Sequence, residues 1–413
     1  MARRVRRATA LAALGAATAG VVAAGVAARR PVGAALVART ERRLNQIHRP
    51  GPYPASDRAR ELHRTLFVAD LHADSLLWGR DLLERGERGH VDVPRLVEGN
   101  VALQVLAAST KTPRHLNLER NDDRSDDVLL LALASGWPPR TWGSLTERAL
   151  HLARRAHDTA ARSDGRLSII ESAADLETYL VRRATTPSTA ALLAIEGAHA
   201  LDGDLDNIDR LFKAGYRMMS PSHFFDTPYG GSAHGLAKGG LTDLGRDMVR
   251  RMEARSMLLD LSHASAATID DALAVATRPV VVSHTGVRGI ADNGRNLTDE
   301  QVRGVAATGG VIGIGFWPTA SGGDDASAIV RSIRYAVSIA GVDHVGLGSD
   351  FDGAVPVPFD ATGMAQITDA LLDDGFSTAS IAAIMGGNVL RLLRDTLPGA
   401  GRLEAETAST LPG

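Results

Sequence analysis

The chain contains no cysteine. That excludes disulfide scaffolds, cysteine-ligated zinc and iron–sulfur sites, a thiol nucleophile and lipid attachment through a thiol. Lysine is scarce. Of 46 basic residues only Lys111, Lys213 and Lys238 are lysines, so a catalytic lysine has few candidates. Aromatic residues make up 4%, too few for a platform that stacks single-stranded nucleic acid. Neither sign of charge dominates, with 46 basic against 48 acidic residues. No global field draws the chain onto nucleic acid. The remaining composition, 44% apolar and 23% charged, excludes a wholly disordered chain and a multi-span membrane protein.

At 413 residues the chain has room for two or three domains, although single α/β barrels reach this length. Any metal site must come from His, Asp and Glu, and 13 histidines make one feasible.

Four arginines (Arg3, Arg4, Arg6, Arg7) precede an apolar, Ala-rich run from Ala8 to Ala28, which Arg29 and Arg30 close. As a helix the run is about 31 Å long, enough to cross a bilayer core. Residues 1–30 therefore read as a signal anchor or a signal peptide, and the chain as exported, tethered or secreted. An Ala-rich soluble helix would have the same composition. Residues 31–60, closed by Pro50, Gly51, Pro52 and Pro54, read as a linker. Residues 61–396 read as one domain, and 397–413 as a flexible tail.

Within that domain short apolar runs alternate with helix-like stretches, the pattern of a parallel sheet with crossover helices. The runs are Phe67–Asp70, Ala102–Ala107, Ala191–Ile195, Arg217–Ser220, Met257–Leu261, Val280–Ser283, Val311–Phe316 and His344–Gly348. Eight such strands close a (β/α)8 barrel of TIM type. Helices are expected over Asp243–Ala254, Ala266–Ala276, Asp299–Thr308 and Ser327–Ala340, with extra helices in Lys111–Asp164.

Ionisable residues follow most of these runs. His72 and Asp74 follow the first, Glu196 the third, His223 the fourth, His263 the fifth, His284 the sixth, and Asp350 and Asp352 the eighth. In a parallel barrel these ends converge on one mouth. His72 and Asp74 share a face about 7 Å apart along an extended chain, so both can reach one metal; a solvated turn would show the same pair. Glu196 ends a buried run and needs a partner, either cations or an arginine. No lysine ends an apolar run, so Glu196 is the candidate bridge between two metals. His263 and His284 end successive runs and offer nitrogen ligands to a second metal. Imidazole and carboxylate donors favour zinc, then manganese or iron. Asp350 is placed to move protons. His223 is placed to donate to a developing oxyanion; Arg295 is placed to clamp a substrate carboxylate, or, as a loop arginine, to form a surface ion pair. Asp352 either supports the site from behind or forms a turn before Gly353, and the turn is the reading adopted.

These segments resemble the membrane (renal) dipeptidases, amidohydrolase-like zinc metallopeptidases. The resemblance rests on Asp70-Leu-His-Ala-Asp74, Ala194-Ile-Glu-Gly-Ala-His199, Ser220-Pro-Ser-His223, Leu258-Leu-Asp-Leu-Ser-His-Ala-Ser265, Val282-Ser-His284, Gly294-Arg-Asn296, Gly346-Leu-Gly-Ser-Asp-Phe-Asp-Gly353 and Gly387-Asn-Val-Leu-Arg391. It implies two zinc ions, one on His72 and Asp74, one on His263 and His284, with Glu196 bridging. It further implies that a metal-bridging hydroxide attacks a dipeptide, including dipeptides with a D-residue at the C-terminal position. His223 would then stabilise the intermediate, Asp350 act as acid and base, and Arg295 hold the free carboxylate. Asn388 matches a motif asparagine with either a capping or a site role. The chain departs from the family at Phe316-Trp317-Pro318, where a tyrosine is expected, and at Phe224 and Phe225, where a polar residue is common. Without cysteine, a homodimer like that of the vertebrate members, if kept, would form without a covalent link, and without a hydrophobic C-terminal tail any tether would be N-terminal. A related amidase, deacylase or lactonase, and a non-catalytic tethered binding protein, are the competing readings.

Overall fold

The structure, a computed structural model, describes residues 32–399. Among the described residues nine strands form, all but β3 buried along their whole length: β1 (Val68–Ala73), β2 (Val101–Ser109), β3 (Leu167–Ile169), β4 (Thr189–Glu196), β5 (Tyr216–Met219), β6 (Leu258–Leu259), β7 (Val281–Thr285), β8 (Val311–Ile314) and β9 (Val345–Leu347). All pair in parallel, in the order β6-β5-β4-β2-β1-β9-β8-β7. A parallel bridge between Asp260 and Val281, with Leu261 N–H donating to the Val281 carbonyl at 2.8 Å, joins the two ends of that order. The eight expected runs thus close one ring. β3 is an addition. It takes the start of the β4 edge, at Thr189–Ala191, that β5 takes further on at Leu193–Ile195. Three residues, Leu167-Ser-Ile169, are too short to announce a strand by periodicity.

Alternation along the strands sorts the core into two layers. Ala69 and Leu71, Leu103, Val105 and Ala107, and Ala190, Leu192 and Ala194 pack together inside the ring. Their sequence neighbours Leu106, Ala108, Leu193 and Ile195 pack outward against the helices. This is the period of two expected for strands buried on both faces. Val389, Leu392 and Leu393 of the last helix, Asn388–Thr396, belong to the inner layer. The expected helices form at Asp243–Ala254, Ala266–Val275, Asp299–Ala307 and Ala326–Ala340. Each is entered through a side-chain cap, from Thr242, Ser265, Thr298 and Asp325 in turn. The long β2–β3 connection carries helices Asp127–Ala134, Arg140–Gly143 and Leu145–Ala161.

The segment expected as a linker is part of the packed body. Residues 32–44 are helical, and Glu41 is fully buried between Arg80 and Arg88. Asn45 accepts from Ala354 N–H at 2.8 Å, and Ile47 pairs with Val357. The closing prolines and glycine suggested a linker because the partners of Glu41, Arg80 and Arg88, lie on a loop distant in sequence. At the other end Leu397 is buried, and the Pro398 carbonyl accepts from Ala173 N–H at 3.1 Å. The run Ala8–Ala28 and residues 400–413 lie outside the described residues. Among the described residues no helix is long and apolar enough to cross a membrane.

Removing one partner of a buried ion pair leaves the others unpaired and costs about 3–5 kcal/mol. Glu41→Ala is therefore expected to lower unfolding stability in urea by about that amount. Glu87→Ala, which breaks an exposed contact with Arg42 at 3.7 Å, is expected to change it by less than about 0.5 kcal/mol.

Candidate active site

The inward row of β4 runs Ala190, Leu192, Ala194 and reaches Glu196 at the strand's last position. Glu196 is buried, and four imidazoles converge on its carboxylate. Oε1 lies 3.1 Å from His263 Nε2, 3.5 Å from His284 Nε2 and 3.5 Å from His72 Nε2. Oε2 lies 3.2 Å from His223 Nε2, without the alignment of a hydrogen bond. His72 Nε2 also stands 3.8 Å from Asp74 Oδ2 and 3.9 Å from Asp350 Oδ1. Every residue expected as a metal ligand is in this cluster, together with His223 and Asp350.

Two of the histidines owe their aim to irregular pairing. The β1–β2 register shifts between Asp70 and Ala73, around His72. The β7–β8 register shifts between Val282 and Thr285, around His284. Such irregularities re-aim a side chain at a strand end. His263 and Asp350 lie in the left-handed backbone region, with φ of 62° and 60°, a conformation uncommon outside glycine and often found at functional sites.

The donor atoms group in three overlapping triads: His72–Glu196–His284, Glu196–His223–His263 and His72–Asp74–Asp350. His223 therefore stands among the donors as closely as His263, which its sequence position did not reveal. Several of these atoms are buried and unpartnered: both ring nitrogens of His72, Asp74 Oδ1, Glu196 Oε2 and His263 Nδ1. Buried polar atoms rarely go unpaired, and this donor set fits a divalent cation. His263 Nε2, His284 Nε2 and Glu196 Oε1 lie 2.9, 3.1 and 3.5 Å apart. Those spacings match the edges of a coordination tetrahedron, about 3.3 Å for bonds of about 2.0–2.1 Å.

The charges agree with that reading. Burial, with Asp74 close by, pushes the Glu196 carboxyl well above its ordinary range. Burial pushes Asp350 up to about 8. Burial alone would lower His72, but Glu196, Asp74 and Asp350 drive it up to about 10. Burial holds His223, His263 and His284 well below the usual imidazole value. Crowded carboxylates without a counter-ion make His72 the local cation, a role that a bound metal would take over.

Behind the cluster stand residues that the sequence analysis did not single out. Asp260 accepts from Ser262 N–H at 3.0 Å, Ser283 N–H at 2.9 Å and Ser283 Oγ at 2.6 Å. Ser283 Oγ lies 2.9 Å from His284 Nδ1. Asp70 binds Ser349 N–H and Oγ at 2.7 Å each, and Gln104 Nε2 at 2.6 Å. Both aspartates sit within or at the end of apolar runs, and that was the available signal: a carboxylate on a buried strand needs partners. Asp352 corrects an expectation. It is fully buried, accepts from Ser75 Oγ at 2.6 Å and His90 N–H at 2.7 Å, and pairs with Arg80. It ties the loop carrying Asp350 to the rest of the mouth, far beyond the needs of a turn. Asn388 is structural, its amide donating to the Val342 and Val345 carbonyls at 2.7 and 2.8 Å.

At the rim, Arg295 donates to the His284 carbonyl at 2.7 Å and lies 5.9 Å from the Trp317 ring centre. Among the described residues no carboxylate is within ion-pair distance of its guanidinium. Burial lowers it to about 10, while Asp350, Asp260 and Glu196 act to keep it charged. Phe224 lies 4.2 Å and Trp317 5.8 Å, ring centre to ring centre, from His223 and His284. Both departures from the family pattern therefore shape the site.

A parallel barrel with imidazoles and carboxylates gathered at the carboxyl ends of its strands belongs to the metal-dependent hydrolases in fold and donor set. The family is more specific: residues 56–405 match the model of the membrane dipeptidases, peptidase family M19, and the chain belongs to that family. It is 30% identical over 320 residues to dipeptidase tcpJ of Claviceps purpurea, covering 74% of this chain and 69% of that one. A metallopeptidase of Rhodobacter sphaeroides, solved with a phosphinate mimic of the dipeptide L-Ala-D-Ala, superposes with a TM-score of 0.65. That match has 26% identity and covers 80% of this chain and 99% of that one. The probable dipeptidase PvdM of Pseudomonas aeruginosa shares the fold, with a TM-score of 0.68 at 21% identity over 82% of this chain and 98% of that one. The chain is thus a metal-binding hydrolase of dipeptidase type.

Partners behind a metal ligand set its orientation, and losing one typically costs about 10–100-fold in metal affinity. Asp260→Ala is expected to weaken metal binding by about that factor, read by competition with a chromogenic chelator.

Proposed function

We propose that this protein is a zinc dipeptidase that works with two ions and accepts a D-residue at the C-terminal position. Glu196, with His72 and Asp74 on one side and His263 and His284 on the other, would hold the ions. The observation that carries this reading is the buried Glu196 carboxylate with imidazoles on both oxygens and, among the described residues, no lysine or arginine paired with it. When bound, the metal polarises the scissile carbonyl and makes water a nucleophile at neutral pH.

The chain's own residues supply the rest. Arg295, without a carboxylate partner among the described residues, takes the substrate's terminal carboxylate with two parallel hydrogen bonds. That fixes the peptide bond over Glu196. His223, on the far oxygen of Glu196, turns an N–H toward the carbonyl oxygen as negative charge develops there. Asp350, poised near neutrality, takes a proton from water and returns it to the departing amine. Tolerance of a D-residue draws on the Rhodobacter sphaeroides relative and its L-Ala-D-Ala mimic. The Ala8–Ala28 run between arginines supports an exported enzyme, tethered or released at that segment.

The test is metal analysis of the purified protein with a panel of L,L and L,D dipeptides. Two zinc ions per chain are expected, with hydrolysis lost to chelator and restored by zinc. Arg295→Ala is expected to lower kcat/KM for free dipeptides about 10–100-fold, the worth of a hydrogen-bonded charge. It should leave C-terminally amidated dipeptides, already poor substrates, little changed. Equal cleavage of amidated and free dipeptides would move the substrate to another amide or ester. Absence of metal together with absence of hydrolysis would leave a binding protein.

A further inference from the structure

Across the mouth from Arg295 stands a second cation. In the ring, β2 and β7 are four places apart among eight strands, and therefore opposite one another. Arg295 lies on the connection after β7, and Lys111 follows β2 by two residues. The last residue of β2, Ser109, is the register partner of Glu196, and its Oγ lies 3.5 Å from His223 Nδ1. Lys111 thus leaves the sheet beside the centre of the site.

Its position is built. The Thr110 carbonyl accepts from Arg148, a buried guanidinium, at 2.8 Å. The Thr112 carbonyl accepts from Asp127 N–H at 2.9 Å. Lys111 Nζ rests 5.3 Å from the ring centre of Phe225, itself buried, a cation–π contact. Phe225 lies 5.0 Å from the ring of His199, which stacks parallel to His223 at 6.5 Å. Among the described residues no carboxylate pairs with Lys111.

His199 adds an independent sign. It is 7% exposed, and neither of its ring nitrogens has a hydrogen-bond partner. Its ring folds back over Gly197, whose φ of 97° leaves no room for a Cβ, only 2.4 Å from the imidazole. Burial and the charge of Lys111 hold the ring neutral. A neutral imidazole carries one N–H, and this one has no acceptor. The wall facing Arg295 therefore offers an ammonium and an unused imidazole, both lacking an anionic partner.

We propose that Lys111, with His199 beside it, recognises a carboxylate on the side chain of the substrate's first residue. The enzyme is then selective for dipeptides that begin with an acidic residue. The inference rests on the dipeptidase reading above. A dipeptide held at its terminal carboxylate by Arg295 and cleaved over Glu196 sends its first side chain toward β2. A basic first residue meets like charge there, and a neutral one leaves both groups unpaired. Phe225 supplies the apolar floor on which the ammonium rests.

The experiment compares kcat/KM for Glu-Ala and Gln-Ala, which differ in charge and hardly in shape. The readout is the ratio between them, which cancels any general loss of activity in a variant. The full-length, metal-loaded protein is expected to favour Glu-Ala at least about tenfold. Lys111→Met should bring the ratio close to one, Lys111→Arg should keep most of it, and Lys111→Glu should favour Lys-Ala over Glu-Ala. A parent ratio near one, or a preference that survives Lys111→Met, overturns the proposal. If no dipeptide is hydrolysed, the dipeptidase reading fails, and calorimetry decides this one separately. The probes are phosphinate dipeptide mimics with a glutamate-like or glutamine-like first residue. Tighter binding of the acidic mimic, abolished by Lys111→Met, supports recognition at Lys111. Equal affinity, or no binding of either, overturns it.

Discussion

A carboxylate at the end of a buried strand is costly unless cations or donors surround it. Glu196 is such a group, and much of the mouth is arranged around it. Four imidazoles reach its two oxygens from β1, β7 and the loops after β5 and β6. Burial lowers His263 and His284, which favours the neutral form that a metal ligand needs, and lowers His223 as well. The fourth, His72, is protonated by the acidic groups around it. A bound metal would take over from His72 as the positive charge among these carboxylates.

Rigid support stands behind these ligands. Asp260 locks Ser283 against His284, and Asp70 locks Ser349 near the carbonyl of His72. Asp352, buried with Arg80 and through it Glu41, holds the loop that carries Asp350. The third network reaches the helix at 32–44, so the segment ahead of the barrel takes part in shaping the mouth. These carboxylates are spread along the sequence, yet each braces one strand end against its neighbour. Ligands held in this way are ready to bind metal without rearrangement, which favours affinity and a defined geometry.

The mouth is also asymmetric in charge. Glu196, Asp74 and Asp350 form an acidic centre, with Arg295 on the β7 side and Lys111 on the β2 side. Trp317 lies near the first cation and Phe225 beneath the second. An acidic centre between two cations suits a small zwitterionic substrate with negative groups at its outer ends.

The sequence by itself determined the fold class and the donor set. Eight apolar runs with ionisable residues at their ends sufficed, because strand burial and strand polarity act locally and along the chain. It did not show β3, which is too short for periodicity, or the packing of residues 32–60, whose Glu41 finds Arg80 and Arg88 only in three dimensions. It placed Asp352 in a turn, since no local pattern reveals a partner at Ser75 or His90. The tertiary structure alone decided that His223 shares Glu196 with His263, that register shifts turn His72 and His284 inward, and that Lys111 and Arg295 follow opposite strands of the ring. Each of these depends on ring closure, which sets the positions of residues on separate strands, and such distances are not encoded in any single stretch of chain.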